Sequence, residues 1–106
     1  MSDAYVANNL PIDALWSDID YMENYRDFTN GQVAYKDLPA FVAKIRTAGL
    51  RYVPIIDAGV AMRPSTDYTF YKDGVTAGAF IKAANGAIFI GRVWPNEVAF
   101  PDFYNP

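Results

Sequence analysis

The sequence predicts an α/β fold in which a β-α-β unit is followed by a long loop with a β-hairpin. Two short segments, residues 16–22 and 52–57, each run from apolar side chains into carboxylates at their C-terminal ends. A helical pattern separates them, and this order of elements is typical of a parallel sheet. Because ligands bind outside the carboxyl ends of parallel strands, the acidic ends of the two segments indicate a binding site.

The composition limits the classes of function that the chain can have. Its 106 residues allow one domain with a modest core, and 52% of them are hydrophobic, as expected for a folded chain. Lys and Arg number 9 against 12 Asp and Glu, which gives a net charge of −3, and no basic run is present. We therefore expect no nucleic-acid partner, since phosphates require clustered cations.

The residue types that the chain lacks also exclude whole classes of chemistry. Without Cys there is no disulfide, thiolate nucleophile or zinc knuckle, and without His there is no Ser-His-Asp triad. Chemistry must therefore come from carboxylates, Tyr, Lys or Arg. No apolar stretch approaches the ~20 residues that span a bilayer, so no membrane span is expected. The cellular location stays open.

The first half of the chain contains the elements that lead into the β-α-β unit. Ser2 is suited to cap a short helix that ends near Asn9, and residues 12–20 predict the first strand. Residues 21–31 are polar and aromatic and end in an Asn-Gly turn. We expect this segment to form a loop that folds over the strand ends.

The clearest helix runs from residue 37 to a stop at Gly49. Pro39 lies in its first turn, where a missing N–H costs nothing, and Gly49 suits the left-handed residue that follows a helix. Residues 51–57 predict a second strand that is apolar on both faces, as in a strand covered on both sides. One helix face carries the side chains that we assign to the core, namely Phe41, Val42, Ile45 and Ala48.

The second half of the chain has weaker signals for regular structure. Residues 58–78 are rich in Gly, Pro, Ser, Thr and Asp and predict a long loop. The apolar runs at 79–82 and 87–90 flank Asn85-Gly86, and this arrangement predicts a hairpin. Gly91 is expected to bulge or bend the returning strand.

Carboxylates at the predicted strand ends are the first candidates for a site. Asp18 and Asp57 lie at the ends of the two strands and could hold the hydroxyls of a sugar. The structural alternatives are a salt bridge from Asp18 to Arg26 and a role for Asp57 in shaping its own turn. Asp20 is expected to accept local backbone hydrogen bonds, and Arg26 and Asp27 to form loop ion pairs.

Five motifs in one order resemble glycoside hydrolase family 31, the α-glucosidases. They are LWSDIDYM at residues 15–22, YRDFT at 25–29, IIDAG at 55–59, GRVWP at 91–95 and FPDF at 100–103. The resemblance covers nearly the whole chain, from about Leu10 to Pro106. One departure is Asn96, where many relatives have Gly after Trp-Pro; Asn tolerates a left-handed conformation, so the turn can survive.

The resemblance implies that residues 1–106 are a fragment of a catalytic (β/α)8 TIM barrel. The fragment would hold about strands 2 to 3 and the following loop, since a whole barrel needs about 250 residues. Asp18 would bind hydroxyls of the sugar in the −1 subsite. Ile55 and Asp57 would lie in the pocket wall, and Trp94 would line the same subsite, although packing against the hairpin is the structural alternative for Trp94.

The activity that the resemblance implies is hydrolysis of terminal α-linked glucose from oligosaccharides with retention of configuration. Retaining enzymes use two carboxylates about 5–5.5 Å apart, and they need no metal or organic cofactor. In the family the nucleophile belongs to a W-x-D-M-N-E segment, which the chain does not contain. The expected partners are therefore an α-glucoside oligosaccharide and the remainder of the barrel, and the fragment alone is expected to be inactive.

Two alternatives to a piece of an α-glucosidase remain open. The chain could be a non-catalytic sugar-binding or assembly fragment that keeps subsite residues, or a stand-alone small α/β domain. A location in the secretory pathway, the lysosome or the extracellular space would follow if the chain comes from a eukaryotic relative.

Overall fold

A computed structural model describes residues 2–63 and 68–105, and within them the chain forms two small β-sheets and three α-helices. Short 3₁₀ segments at Ile19–Tyr21 and Glu23–Tyr25 follow the first strand. The elements in chain order are α1 (Ser2–Ala7), β1 (Ala14–Ser17), α2 (Leu38–Thr47), β2 (Arg51–Pro54), β3 (Val60–Ala61), α3 (Phe70–Thr76), β4 (Ile90–Val93) and β5 (Asn96–Ala99).

The predicted β-α-β unit is confirmed. Strands β1 and β2 pair in parallel with Trp16 opposite Val53, and α2 lies between them in the chain. The first strand is shorter than the predicted span of 12–20. It ends at Ser17 because Asp18 caps a 3₁₀ turn, and its carboxylate accepts a hydrogen bond from the N–H of Ile19 at 2.7 Å.

Helix α2 begins and ends as the sequence predicts. Pro39 lies in the first turn, and Gly49 adopts a φ of 83° just after the helix. The N–H of Gly49 bonds to the carbonyl of Arg46 at 3.0 Å, and that of Leu50 to the carbonyl of Ile45 at 2.9 Å. This pair of bonds is the Schellman motif, in which glycine avoids the steric cost of a left-handed residue.

The burial predicted for the β-α-β unit is only partly correct. Ile45 is buried and Val42 is half-buried, but Phe41 and Ala48 are exposed. Within the 106-residue chain the second strand is not covered on both sides, because Val53 is 45% exposed. Its register partner Trp16 is 63% exposed, so within the described residues one face of the parallel sheet has little cover.

The long loop predicted for residues 58–78 is wrong in part. It contains β3 and α3, while residues 64–67 lie outside the described part. Strand β5 pairs antiparallel with both β3 and β4. The main hydrophobic cluster lies here, formed by Val60, Ala61, Tyr68, Phe80 and Ala99 with Tyr71 and Ile88 packed against it.

Two turns shape the remainder of this region. The predicted hairpin is present as an irregular turn: Gly86 has a φ of 82°, Lys82 and Ile88 form an antiparallel bridge, and the N–H of Phe89 bonds to the carbonyl of Ile81 at 2.8 Å. The regular hairpin joins β4 to β5, and the sequence did not predict it. Asn96 at its turn has a φ of 84°, which confirms the expected left-handed residue.

The bulge predicted at Gly91 is absent, since Gly91 stands opposite Val98 in an unbroken register from Ile90 to Val93. A glycine is needed there for a different reason. A Cβ at this position would lie 2.5 Å from a ring carbon of Phe100, so the ring packs against bare backbone.

The chain is extended for its length. Its radius of gyration is 17.4 Å, whereas a compact domain of this size has about 13 Å. Its axes measure 58 × 29 × 21 Å. The extended shape agrees with the small size of the hydrophobic cluster and with the exposure of apolar side chains on the parallel sheet.

Candidate functional site

The carboxyl ends of β1 and β2 bring two predicted site residues side by side. Ser17 and Pro54 are register partners, so Asp18 and Ile55 are the next residues on neighbouring strands. The N–H of Ile55 donates to the carbonyl of Ser17 at 2.9 Å, which continues the pairing one residue past the strand. Ile55 is further held by the hydroxyl of Tyr21, which donates to its carbonyl at 2.8 Å.

The local backbone contact expected of Asp20 is made by Asp18. Asp18 is exposed and makes the local backbone contact, to the N–H of Ile19. Asp20 accepts a hydrogen bond from the hydroxyl of Tyr35 instead. The second carboxylate oxygen of Asp18 can still accept a hydrogen bond at the carboxyl end of the sheet.

Asp57 is half-buried just beyond β2. Its Oδ1 accepts a hydrogen bond from the N–H of Ala58 at 2.8 Å, so the expected role in shaping the turn is present. Its Oδ2 is buried and has no hydrogen-bond partner among the described residues. A buried carboxylate oxygen without a donor is costly, and a ligand hydroxyl would satisfy it.

A shallow hollow of about 470 Å³ joins Asp57 to the β4–β5 turn, and its described lining consists of Asp57, Arg92, Val93 and Trp94. Trp94 is 69% exposed, so most of its ring surface is open to a ligand. The guanidinium of Arg92 lies 3.7 Å from the carboxylate of Glu97 on the paired strand. The structure thus brings Asp57 and Trp94 together, while Asp18 and Ile55 lie outside the described lining.

The structure adds one residue to the site that the sequence interpretation missed. Asp27 was expected in a loop ion pair, but it is 1% exposed, and its Oδ1 accepts the N–H of Asp57 at 2.9 Å. Arg26 forms an ion pair with Glu23, and its guanidinium lies 4.8 Å from the ring centre of Tyr68. Membership of the YRDFT motif was the available signal, since no local pattern marks a carboxylate for burial beside a residue 30 positions away.

Burial raises the pKa of the Asp27 carboxyl to about 6, and the nearby charge of Asp57 acts in the same direction. The backbone hydrogen bond from Asp57 partly opposes this rise because it stabilises the charged form. Burial likewise raises the pKa of the Tyr21 hydroxyl, with Asp27 and Tyr52 adding to the effect. The buried end of the site is thus a place where negative charge is disfavoured.

Neither a metal site nor a membrane span emerges from residues 2–63 and 68–105. No three Asp or Glu side chains in these ranges cluster closely enough to hold a metal ion. None of the helices in these ranges combines the length and apolar character needed to cross a bilayer.

Comparison with known proteins identifies the family. The model for the TIM-barrel domain of glycosyl hydrolases family 31 matches residues 1–106. The chain belongs to glycosyl hydrolase family 31. The predicted fold class, a partial (β/α)8 barrel, is thereby confirmed, with β1, α2 and β2 as its β-α-β unit.

Individual relatives agree with this assignment. The chain is 46% identical over 109 residues to the alpha-glucosidase of Schizosaccharomyces pombe, covering 96% of this chain and 11% of that protein. It is 40% identical over 106 residues to alpha-xylosidase 1 of Arabidopsis thaliana, covering 98% and 11%. The crystal structure of a glucosidase II alpha subunit superposes with a TM-score of 0.90 at 26% identity, covering 98% of this chain and 11% of that one. The family 31 chain thus spans about a tenth of the length of these relatives.

Proposed function

We propose that residues 1–106 are a segment of the catalytic barrel of a retaining α-glucosidase and supply sugar-binding residues of its −1 subsite. The observation that carries this proposal is the hollow shared by Asp57 and Trp94 beyond the carboxyl ends of the parallel strands. Ligands of (β/α)8 barrels bind at that end of the strands. The similarity to an alpha-glucosidase at 46% identity supports the substrate class.

The proposed residues have the chemistry that a glucose ring requires. Asp57 and Asp18 would accept charge-assisted hydrogen bonds from sugar hydroxyls, which are stronger than bonds between neutral groups. The Trp94 ring would pack against an apolar C–H face of the sugar, and Ile55 would complete the wall. A few oriented polar groups among apolar surface are typical of a small-molecule site.

The remainder of the barrel would supply the catalytic pair in this proposal. Retention requires a carboxylate nucleophile and a carboxylic acid on either side of the glycosidic bond, and the nucleophile is replaced by water in a second step. Residues 1–106 do not contain the W-x-D-M-N-E segment to which the family's nucleophile belongs. The exposed Trp16 and Val53 face of the β1–β2 sheet would be covered by the missing strands.

The test uses the full-length protein that carries this segment, with p-nitrophenyl α-glucoside as substrate. We expect Asp18→Asn and Asp57→Ala each to lower kcat/KM by a factor that corresponds to about 2–4 kcal/mol of lost transition-state binding. Asp37→Asn is the matched control, because Asp37 is exposed and makes no capping hydrogen bond with its side chain. Unchanged kcat/KM in Asp18→Asn or Asp57→Ala would remove that residue from the proposed subsite.

An α-xyloside is a second candidate substrate, because a relative at 40% identity is an alpha-xylosidase. The two sugars differ at the exocyclic CH₂OH group that glucose has and xylose lacks. Comparing kcat/KM for p-nitrophenyl α-glucoside and α-xyloside with the same full-length protein decides between them. The 106-residue chain alone should hydrolyse neither substrate.

A further inference from the structure

Two hydrogen bonds join the segment after β1 to the segment after β2. The Tyr21 hydroxyl donates to the Ile55 carbonyl at 2.8 Å, and the Asp57 N–H donates to Asp27 Oδ1 at 2.9 Å. The two bonds hold the backbone groups on either side of Ile56, namely the Ile55 carbonyl and the Asp57 N–H. Together they fix the short stretch that presents Asp57 to the hollow shared with Trp94.

The Asp27 side chain is held in an environment that is unfavourable for a carboxylate. It is 1% exposed, and its Oδ2 has no hydrogen-bond partner among the described residues. Burying an incompletely paired charged group costs free energy. Within residues 2–63 and 68–105 this side chain accepts one hydrogen bond, from the Asp57 N–H, and that bond offsets part of the cost.

The loop that carries Asp27 is strained. Asn24, Tyr25 and Phe28 have φ values of 52°, 59° and 65°, a region that residues other than Gly rarely occupy. Thr29 restrains the loop, because its Oγ accepts the Glu23 N–H at 2.9 Å and donates to the Arg26 carbonyl at 2.6 Å. Such strain persists only where surrounding contacts over-determine the backbone, and it is concentrated at functional sites.

We propose that Asp27 is a positioning residue that orients Asp57 toward the sugar by holding its backbone N–H. The proposal rests on the proposed function, since Asp57 must contact the sugar for its orientation to matter. Asp27 itself would not touch the substrate. Its charge strengthens the hydrogen bond, because an ionised acceptor binds an N–H more strongly than a neutral one.

The pH dependence of this arrangement involves four groups around Asp27. Asp57 faces it from the segment after β2, Tyr21 from the 3₁₀ turn and Tyr68 from the segment before α3. Arg26 lies beside Tyr68. Burial raises the pKa of Asp27 to about 6, so its carboxyl is mostly neutral at pH 5 and mostly charged at pH 7.

The experiment is a double-mutant cycle in the full-length protein, with kcat/KM for p-nitrophenyl α-glucoside as the readout. Asp27→Ala should lower kcat/KM by about 10-fold or more, and Asp57→Ala by more than that. If Asp27 acts through Asp57, then Asp27→Ala has no further effect once Asp57 is Ala. If the fold-loss of kcat/KM in the double variant equals the product of the two single fold-losses, the proposal is wrong.

Asp27→Asn keeps the acceptor oxygen and removes the charge, so it separates positioning from mere folding. It should match the wild type at pH 5 and fall several-fold below it at pH 7. A constant ratio of the two kcat/KM values from pH 5 to 7 would overturn the proposal, and this test remains if Asp27→Ala does not fold. Asp37→Asn is again the control, with a flat ratio expected.

The same variants distinguish a failure of this inference from a failure of the proposed function. If Asp57→Ala hydrolyses the substrate at the wild-type rate, Asp57 is not in the subsite, and the role of Asp27 is lost with it. If Asp57→Ala is impaired but Asp27→Ala is not, the subsite stands and the positioning role alone is wrong.

Discussion

The β-sheets of the segment 14–57 and of the segment 58–103 differ in how well their apolar side chains are covered. In the first, Trp16 and Val53 are register partners in a regular parallel sheet and are nevertheless exposed. In the second, Phe80 is 4% exposed, and Val98 and Ala99 are fully buried. The first segment buries Tyr21, Met22 and Ile45 but leaves one face of its parallel sheet with little cover, whereas the second has a small hydrophobic core of its own.

This difference is what membership of a barrel leads us to expect. A barrel strand has neighbours on both edges and packed layers on both faces, so a pair of strands on its own exposes much of its surface. The second segment packs β3, β5 and β4 with α3 into one cluster. We therefore infer that the second segment contributes most of the stability that resides within the 106 residues.

The largest expected effect is loss of the core in the second segment. Phe80→Ala should cost about 3–5 kcal/mol, because a buried aromatic side chain is removed and a cavity remains. Its ring stacks on Tyr71 at 5.6 Å and is buried against the main cluster. In hydrogen exchange, the amides of β3, β4 and β5 should lose most of their protection in Phe80→Ala, because the free energy of local opening sets that protection.

Phe103→Ala is the matched control, because Phe103 is 85% exposed and the same atoms are removed. We expect its effect to stay within about 0.5 kcal/mol, as for other surface substitutions. Equal losses for the two variants would mean that segment 58–103 has no core of its own.

The two segments also differ in how well the sequence predicts them. The β-α-β unit is specified by local signals, namely Pro39 in the first turn of α2, Gly49 after it and two short apolar runs. By contrast, β3 has two residues, and α3 contains Gly74, a poor helix former. These elements depend on tertiary packing, and a Cβ on Gly74 would lie 2.5 Å from the Phe80 ring.

The residues of the candidate site also differ in how well the sequence predicts their positions. Asp18 and Asp57 can be placed at strand ends from the sequence, because strand ends follow from the apolar runs, whereas the place of Ile55 in the pocket wall comes from the family resemblance. The approach of Trp94 to Asp57 depends on the β4–β5 hairpin, which the sequence did not predict. The burial of Asp27 depends on its contact with Asp57, which is 30 residues away in the sequence. A local sequence pattern therefore cannot predict it.

The second prediction concerns the pH dependence of stability in the first segment. The pKa of Asp27 is raised from 3.8 to about 6 on folding, so the folded state binds its proton more tightly than the unfolded state. Its contribution to stability is therefore fully present below about pH 4 and is lost as the pH rises through about 6. The loss is at most about 3 kcal/mol, from about 1.4 kcal/mol per pKa unit.

Asp27→Asn removes this titration and keeps the size of the side chain. The difference in unfolding free energy between Asp27→Asn and the wild type should therefore change between pH 4 and pH 6 and be constant outside that window. Urea unfolding at several pH values measures it. A difference that is flat across the window would show that Asp27 titrates alike in the folded and unfolded states, and its buried carboxyl would then not distinguish the first segment from the second.

The smallest effect is expected at Gly59, where the two segments meet. A Cβ at this position would lie 2.7 Å from a Val98 methyl and 3.0 Å from a Val93 methyl, and Val98 is fully buried. Gly59→Ala should therefore cost about 1–3 kcal/mol by overpacking. Gly31→Ala in the first segment is the control, since its nearest contact would be 3.6 Å away, and we expect little change in its urea midpoint. If Gly31→Ala were the more damaging of the two, the tight packing would lie in the first segment, and the contrast between the segments would be reversed.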